Sequence, residues 1–198
     1  MRAALEVFSA RGYVEASLEE VARGAGVTKS LLYRHFPSKE SLYLELMRSQ
    51  GDELLAAMRD ADRAGKSSRE RLEATVEAFF GFFVERPFSR RLLFGEATAE
   101  PAVAAAHSRV QGRPTALVVD VLRADESLLR GDPRRDVALE LFGQLVVTGL
   151  NGLAAWWVEH PEVRREELVE RTVQLLWPGL EELQQTVEQR PCGDGAPR

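Results

Sequence analysis

Thr28, Lys29, Ser30, Tyr33, Arg34 and His35 crowd into eight consecutive positions. They offer hydroxyls, two cations, an imidazole and one amphipathic aromatic. Ser17 precedes the group and Lys39 follows it. From Val21 to Lys39 there is no acidic residue, while Arg23, Lys29, Arg34 and Lys39 are all present. The chemistry open to such a set is hydrogen bonding and cation pairing with an anionic partner, not bond-making. No paired nucleophile and base stands out, and no catalytic residue is assigned. There is no GxSxG elbow, no phosphate-binding glycine loop and no metal-ligand spacing. His35, His107 and His160 are scattered, and Cys192 sits in a polar tail. The carboxylates fall at surface-like helix positions such as Glu166-Glu167 and Glu181-Glu182. Neither enzyme, cofactor nor metal is expected.

The cationic island belongs to an otherwise acidic chain of 198 residues with a formal charge of −5. That balance argues against a general polyanion binder and for one local anionic contact. Hydrophobic residues make up 44% and charged residues 29%, values of a soluble globular protein. No apolar run approaches the length of a membrane span, and the N-terminus meets Glu6 before any apolar stretch develops, so neither membrane contact nor a signal peptide is expected. A lone cysteine fits a reducing cytoplasm.

The elements that position the island are helices throughout, because apolar residues recur at spacings of three and four. Ala4, Val7 and Phe8 mark the first, which Gly12 can stop with a positive φ. Ser17-Leu18-Glu19-Glu20 reads as a capping box opening the second. Gly24-Ala25-Gly26 ends it after about two turns. Thr28 can cap the third, which Pro37 closes. Val21, Ala22, Val27 and Leu32 should lock these two helices against Phe8 and Phe36. From Ser38 a long helix runs to about Asp62, bridging the two parts of the chain. Gly65 to Ser68 is a plausible turn. Helices follow through Phe79 to Phe83, through Arg91 to Phe94, and from Pro101 with a kink expected at Gly112-Arg113-Pro114. The last two run from Asp132-Pro133 to Glu159 and from Arg164 to about Gln189, the latter disturbed at Pro178-Gly179. The expected fold is all-α. A three-helix helix-turn-helix domain spans 1–47, a six-helix effector-binding and dimerisation domain spans 48–190, and 191–198 form a disordered tail.

Two short helices joined by a glycine-containing turn make the helix-turn-helix pattern, whose second helix fits the DNA major groove. Ala4 to Phe8, Gly12-Tyr13, Ser17 to Ala22, Ala25 to Lys29, Leu32 to Phe36 and Ser38-Lys39-Glu40 together resemble the TetR family of transcriptional regulators, densely over about the first 45 residues. Downstream the likeness lies mainly in layout. The resemblance implies a homodimer, a palindromic double-stranded operator, a small-molecule effector and, most simply, a repressor. Tyr33 and His35 resemble the family's phosphate contacts. Lys39 would reach phosphate beside the bridging-helix N-terminus, and Ser17 and Thr28 offer cap hydroxyls near the backbone. Lys29, Ser30 and Arg34 are candidates for base edges; Arg34 reads equally well as a phosphate contact. Leu31 stands where the family often has a small hydroxyl residue, so it either touches a thymine methyl or is buried. Glu19, if it faces DNA, repels phosphate or accepts a hydrogen bond from cytosine N4. The chain opens almost on its first helix, where relatives carry a longer, often basic lead. Either that contact is missing or the start codon lies upstream.

An effector pocket could be lined by Phe79, Phe83, Phe94, His107, Val110, Phe142 and Trp156, which implies a largely apolar ligand. The competing reading of the phenylalanines is ordinary core, and of His107 a surface position. For the dimer, Leu145, Gly149, Gly152, Leu153, Leu176, Leu180 and Leu183 suggest a two-helix face that pairs with its twin. The alternative is that these leucines fill the monomer core. The competing function is a helical protein–protein interaction module without sequence-specific DNA binding.

Overall fold

The computed structural model describes residues 1–63, 67–95 and 100–189, and over them the chain is all helical. In order these are α1 (Arg2–Glu15), α2 (Leu18–Gly24), α3 (Lys29–His35), α4 (Lys39–Asp62), α5 (Ser68–Glu85), α6 (Ser89–Phe94), α7 (Pro101–Arg123), α8 (Arg135–Glu159) and α9 (Arg165–Gln189). The expected tail from Pro191, with Cys192, and the first half of the expected Gly65 to Ser68 turn lie outside the described residues.

Two compact units emerge, one of residues 1–58 with 79–114 and one of 59–78 with 115–198. In the first unit α2 packs on α1 and α3, and α1 also packs on α6. Gly12 takes φ +74 within α1 and bends it, a conformation that would strain other residues. The Ser17 capping box forms as expected: the hydroxyl accepts from the Glu20 amide at 3.2 Å, and the Glu20 carboxylate accepts from the Ser17 amide at 3.3 Å. Phe8, Val21, Ala22 and Leu32 are buried and join the short helices. Val27 does not join them. It lies in the turn, 37% exposed, and Phe36 is only half-buried. The turn needs Gly26 at φ +67, and that geometry carries Val27 outward.

The second unit is held by Leu139, Val146, Val147 and Leu150 of α8 with Leu168, Val169, Val173 and Leu180 of α9, all buried. Each such side chain contributes roughly 1.5–3 kcal/mol. Gly143 allows close packing on α7, since a Cβ there would meet Val119 Cγ2 at 2.6 Å. The Arg135 guanidinium donates to the carbonyls of Leu128, Arg123 and Asp125 at 2.7, 3.2 and 2.8 Å, closing the end of α7. By length and composition α8 could cross a membrane, yet seven of its residues are buried in the protein. Helix α7 runs on through Pro114, and α9 through Pro178, so both prolines lie inside their helices. Proline removes one donor, and the neighbouring turns hold the rest.

Candidate nucleic-acid interface and effector groove

The reading helix is built from its caps. Thr28 Oγ1 accepts from the Leu31 amide at 3.2 Å, which starts α3 where the sequence indicates. Only Leu32 of α3 is buried, and Leu31 is half-buried. Lys29, Ser30, Tyr33, Arg34 and His35 are therefore all presented to solvent, with Thr28 beside them. Ser17 is half-buried, its hydroxyl occupied by the α2 cap.

The two lysines are held in place. Lys29 Nζ pairs with the Glu19 carboxylate across the α2–α3 turn and lies 5.6 Å over the Tyr33 ring. That pairing holds the Glu19 carboxyl below its ordinary range and raises the Lys29 ammonium. Lys39 Nζ donates to the Val14 carbonyl at 2.9 Å and sits 4.8 Å over the Tyr13 ring. Ser38 caps α4, its hydroxyl accepting from the Ser41 amide at 3.0 Å. Among the described residues no ion pair engages the Arg34 guanidinium.

Of the expected effector residues, Phe79, Phe83, Phe94, His107 and Val110 lie in the first unit and Phe142 and Trp156 in the second. Phe79, Phe83 and Phe94 meet ring to ring, with centroids 5.1 Å apart for Phe79–Phe83 and 6.0 Å for each contact with Phe94. Phe79, Phe80, Phe82 and Phe83 are all buried, so this aromatic run is core. His107 is buried too, at 3% exposure, rather than superficial. Its Nε2 stands 3.0 Å from the Tyr43 hydroxyl. Burial lowers the His107 pKa, partly offset by the Leu93 backbone, although Nδ1 has no partner in good hydrogen-bond geometry. Burial likewise pushes the Tyr43 hydroxyl up to about 12. Phe142 is buried in the second unit. Trp156 belongs there as well, 42% exposed and stacked on His160.

Val110 does border an open space. It lies in a groove of about 500 Å³ between α4 and α7, a size ordinary for small-molecule sites. Leu44, Met47, Ala102 and Ala106 supply apolar lining, and Arg48, Arg109 and Arg113 border it. Asp52 fixes two of these arginines, accepting from Arg48 at 3.1 Å and from Arg113 at 2.6 Å. Among the described residues Arg109 has no ion pair. The sequence reading missed this groove. Its signal was the Ala102, Ala105, Ala106, Arg109 and Arg113 spacing, which sets small residues and two arginines along one face of α7. The α4–α7 contact is close here, because a Cβ on Gly51 would stand 3.2 Å from Val110 Cγ1.

The dimer candidates divide. Leu145, Gly149, Gly152 and Leu183 are exposed, and Leu153 and Leu176 half-buried. Leu180 is 0% exposed and fills the core of its own chain. Leu141 and Leu175, which the reading passed over, are exposed, Leu175 to 82%. On α9, Leu175 and Leu183 lie eight residues apart, and on α8 Leu141 and Leu145 lie four apart. Each pair shares one helix face.

Residues 1–46 match the model of the bacterial regulatory proteins of the tetR family. The transcriptional activator FasR of Mycolicibacterium smegmatis is 36% identical over 179 residues, 90% of this chain and 80% of its own. The transcriptional repressor KstR2 of Rhodococcus jostii is 37% identical over 73 residues, 37% of this chain and 36% of its own. A TetR-like regulator from Rhodococcus sp. RHA1 superposes with a TM-score of 0.74 at 26% identity, covering 91% of this chain and 92% of that one. Relatives that regulate transcription displace the interaction-module reading. With a capped, outward-facing second helix in the matched segment and a FasR likeness along nearly the whole chain, this protein belongs to the TetR family of DNA-binding transcriptional regulators.

Proposed function

We propose that the protein reads a palindromic operator as a homodimer and is released from it by a small amphipathic effector. The observation that carries this is α3, which presents Lys29, Ser30, Tyr33, Arg34 and His35 outward from one buried leucine. Residues 1–47 form the reader, and the remainder to residue 190 the effector and dimer part. Tyr33, His35 and Lys39 position the protein on phosphates, with Ser17 and Thr28 near the backbone. Lys29, Ser30 and Arg34 meet base edges. The exposed leucines of α8 and α9 support a self-complementary contact. The α4–α7 groove supports an effector with an apolar body and an anionic group facing Arg109. We read it as a repressor acting in the cytoplasm, one that blocks transcription while it occupies its operator. FasR carries the name of an activator, and an operator–promoter reporter decides the sign.

The test is selection of genomic fragments by the purified protein, then footprinting of the best one. Two protected half-sites about 34–36 Å or a multiple apart, bound by a dimer that Leu175→Glu converts to a monomer, support the reading. A single unsymmetrical footprint, or operator binding indifferent to every compound that binds the protein, refutes it.

A further inference from the structure

The Glu19–Lys29 pair sets a carboxylate beside the first residue of the reading helix. Both side chains are about half exposed. Glu19 takes no part in the α2 capping box, which uses Glu20. Lys29 has two neighbours, the carboxylate and the Tyr33 ring, which bias its ammonium towards the α2–α3 turn before DNA arrives.

We propose that Glu19 is a specificity-determining residue, which turns Lys29 from a phosphate clamp into a reader of a base edge. The proposal rests on α3 being the base-reading helix. A free lysine on this face attracts any duplex through its net charge. With Glu19 ionised beside it, the pair is neutral beyond a few ångströms, and phosphate attraction at that position is cancelled. Hydrogen bonding survives the cancellation. An ammonium has three donors; one serves Glu19, and two remain for an acceptor edge such as guanine O6 and N7. Phosphate contacts are blind to sequence, whereas base contacts are not. The pair therefore removes affinity for all DNA and leaves affinity for the correct base.

Glu19→Gln, Lys29→Met and the double variant test this by titration of the selected operator and of a scrambled duplex of equal length across a salt series. Both side chains are exposed, so melting curves should show all three variants folded. Glu19→Gln should tighten binding to the scrambled duplex more than to the operator, lowering their ratio by roughly tenfold. Its scrambled-duplex salt slope should steepen by about one per protomer, the signature of a gained phosphate contact. In the Lys29→Met background Glu19→Gln should lose this effect. Equal tightening on both duplexes would overturn the proposal, since that is removal of a negative charge and nothing more. So would an unchanged ratio, or the same effect with and without Lys29. If wild-type protein prefers no sequence at all, the reading of α3 fails together with the proposal; a wild-type preference that Glu19→Gln leaves intact overturns the proposal alone.

Discussion

Tyr43→Phe deletes one oxygen from the buried contact between α4 and α7. The Tyr43 hydroxyl lies 3.0 Å from His107 Nε2, and both residues are buried. A phenylalanine keeps the ring, whose edge contacts with Phe8 and Tyr13 both have centroids 4.9 Å apart. What it removes is the partner of His107, whose other nitrogen already lacks a well-placed one. A buried polar group left unsatisfied costs about 1–3 kcal/mol. For a chain of this size each kcal/mol moves the melting midpoint by roughly 2–4 °C. The expected loss is therefore about 2–12 °C in thermal unfolding followed by circular dichroism. His107→Leu strands the tyrosine hydroxyl instead and should destabilise to a similar degree. The double variant strands nothing. It should be more stable than the two losses added together predict, by about 1 kcal/mol or more, because partners removed together leave no unpaired group. Strictly additive losses would refute the reasoning, since they would mean that the two groups do not depend on each other.

His107 also predicts a pH dependence. Burial holds its folded pKa below the ordinary 6.5, so as pH falls through that value the unfolded chain gains a proton that the native chain refuses. Stability should decline there and level off once the native imidazole is protonated as well. His107→Leu should flatten that slope in urea titrations, and an unchanged slope would place the titrating group elsewhere. Gly143→Ala should destabilise by about 1–2 kcal/mol net, because overpacking at so close a contact with Val119 costs about 2–3 kcal/mol and helix propensity returns about 1 kcal/mol. A neutral urea midpoint would mean that Val119 turns aside without cost.

The parts of the structure legible in the sequence are those decided locally. Ser17 with Glu20, Thr28 with Leu31, and Ser38 with Ser41 each close over three residues, so their spacing announces the helix starts. The recognition face follows from those starts and from the lack of acids around it. What stayed hidden depends on distant partners. Nothing near His107 in the chain shows that Tyr43, 64 positions earlier, buries it. Leu180 and Leu175 carry the same side chain five positions apart, yet one is core and the other exposed. Which is which depends on where α9 meets its neighbours. The phenylalanine run was ambiguous for a related reason. A helix apolar on every side looks the same whether protein or a cavity surrounds it.

The contact between α4 and α7 has a mechanical consequence. Tyr43 meets His107, Gly51 admits Val110, and Asp52 holds Arg113. Both sets of positions rise together along the chain, so the fixings are spread over more than two turns of α4. A single fixing would let the helices pivot, and a pair would leave a hinge axis. Three fixings of different chemistry, a hydrogen bond at one level and a close steric fit and an ion pair at adjacent residues of α4 more than two turns on, oppose both sliding and pivoting. The front half of α7 and the body of α4 consequently behave as one lever. A displacement of one bears on the other through these contacts, and α4 begins four residues after the reading helix ends.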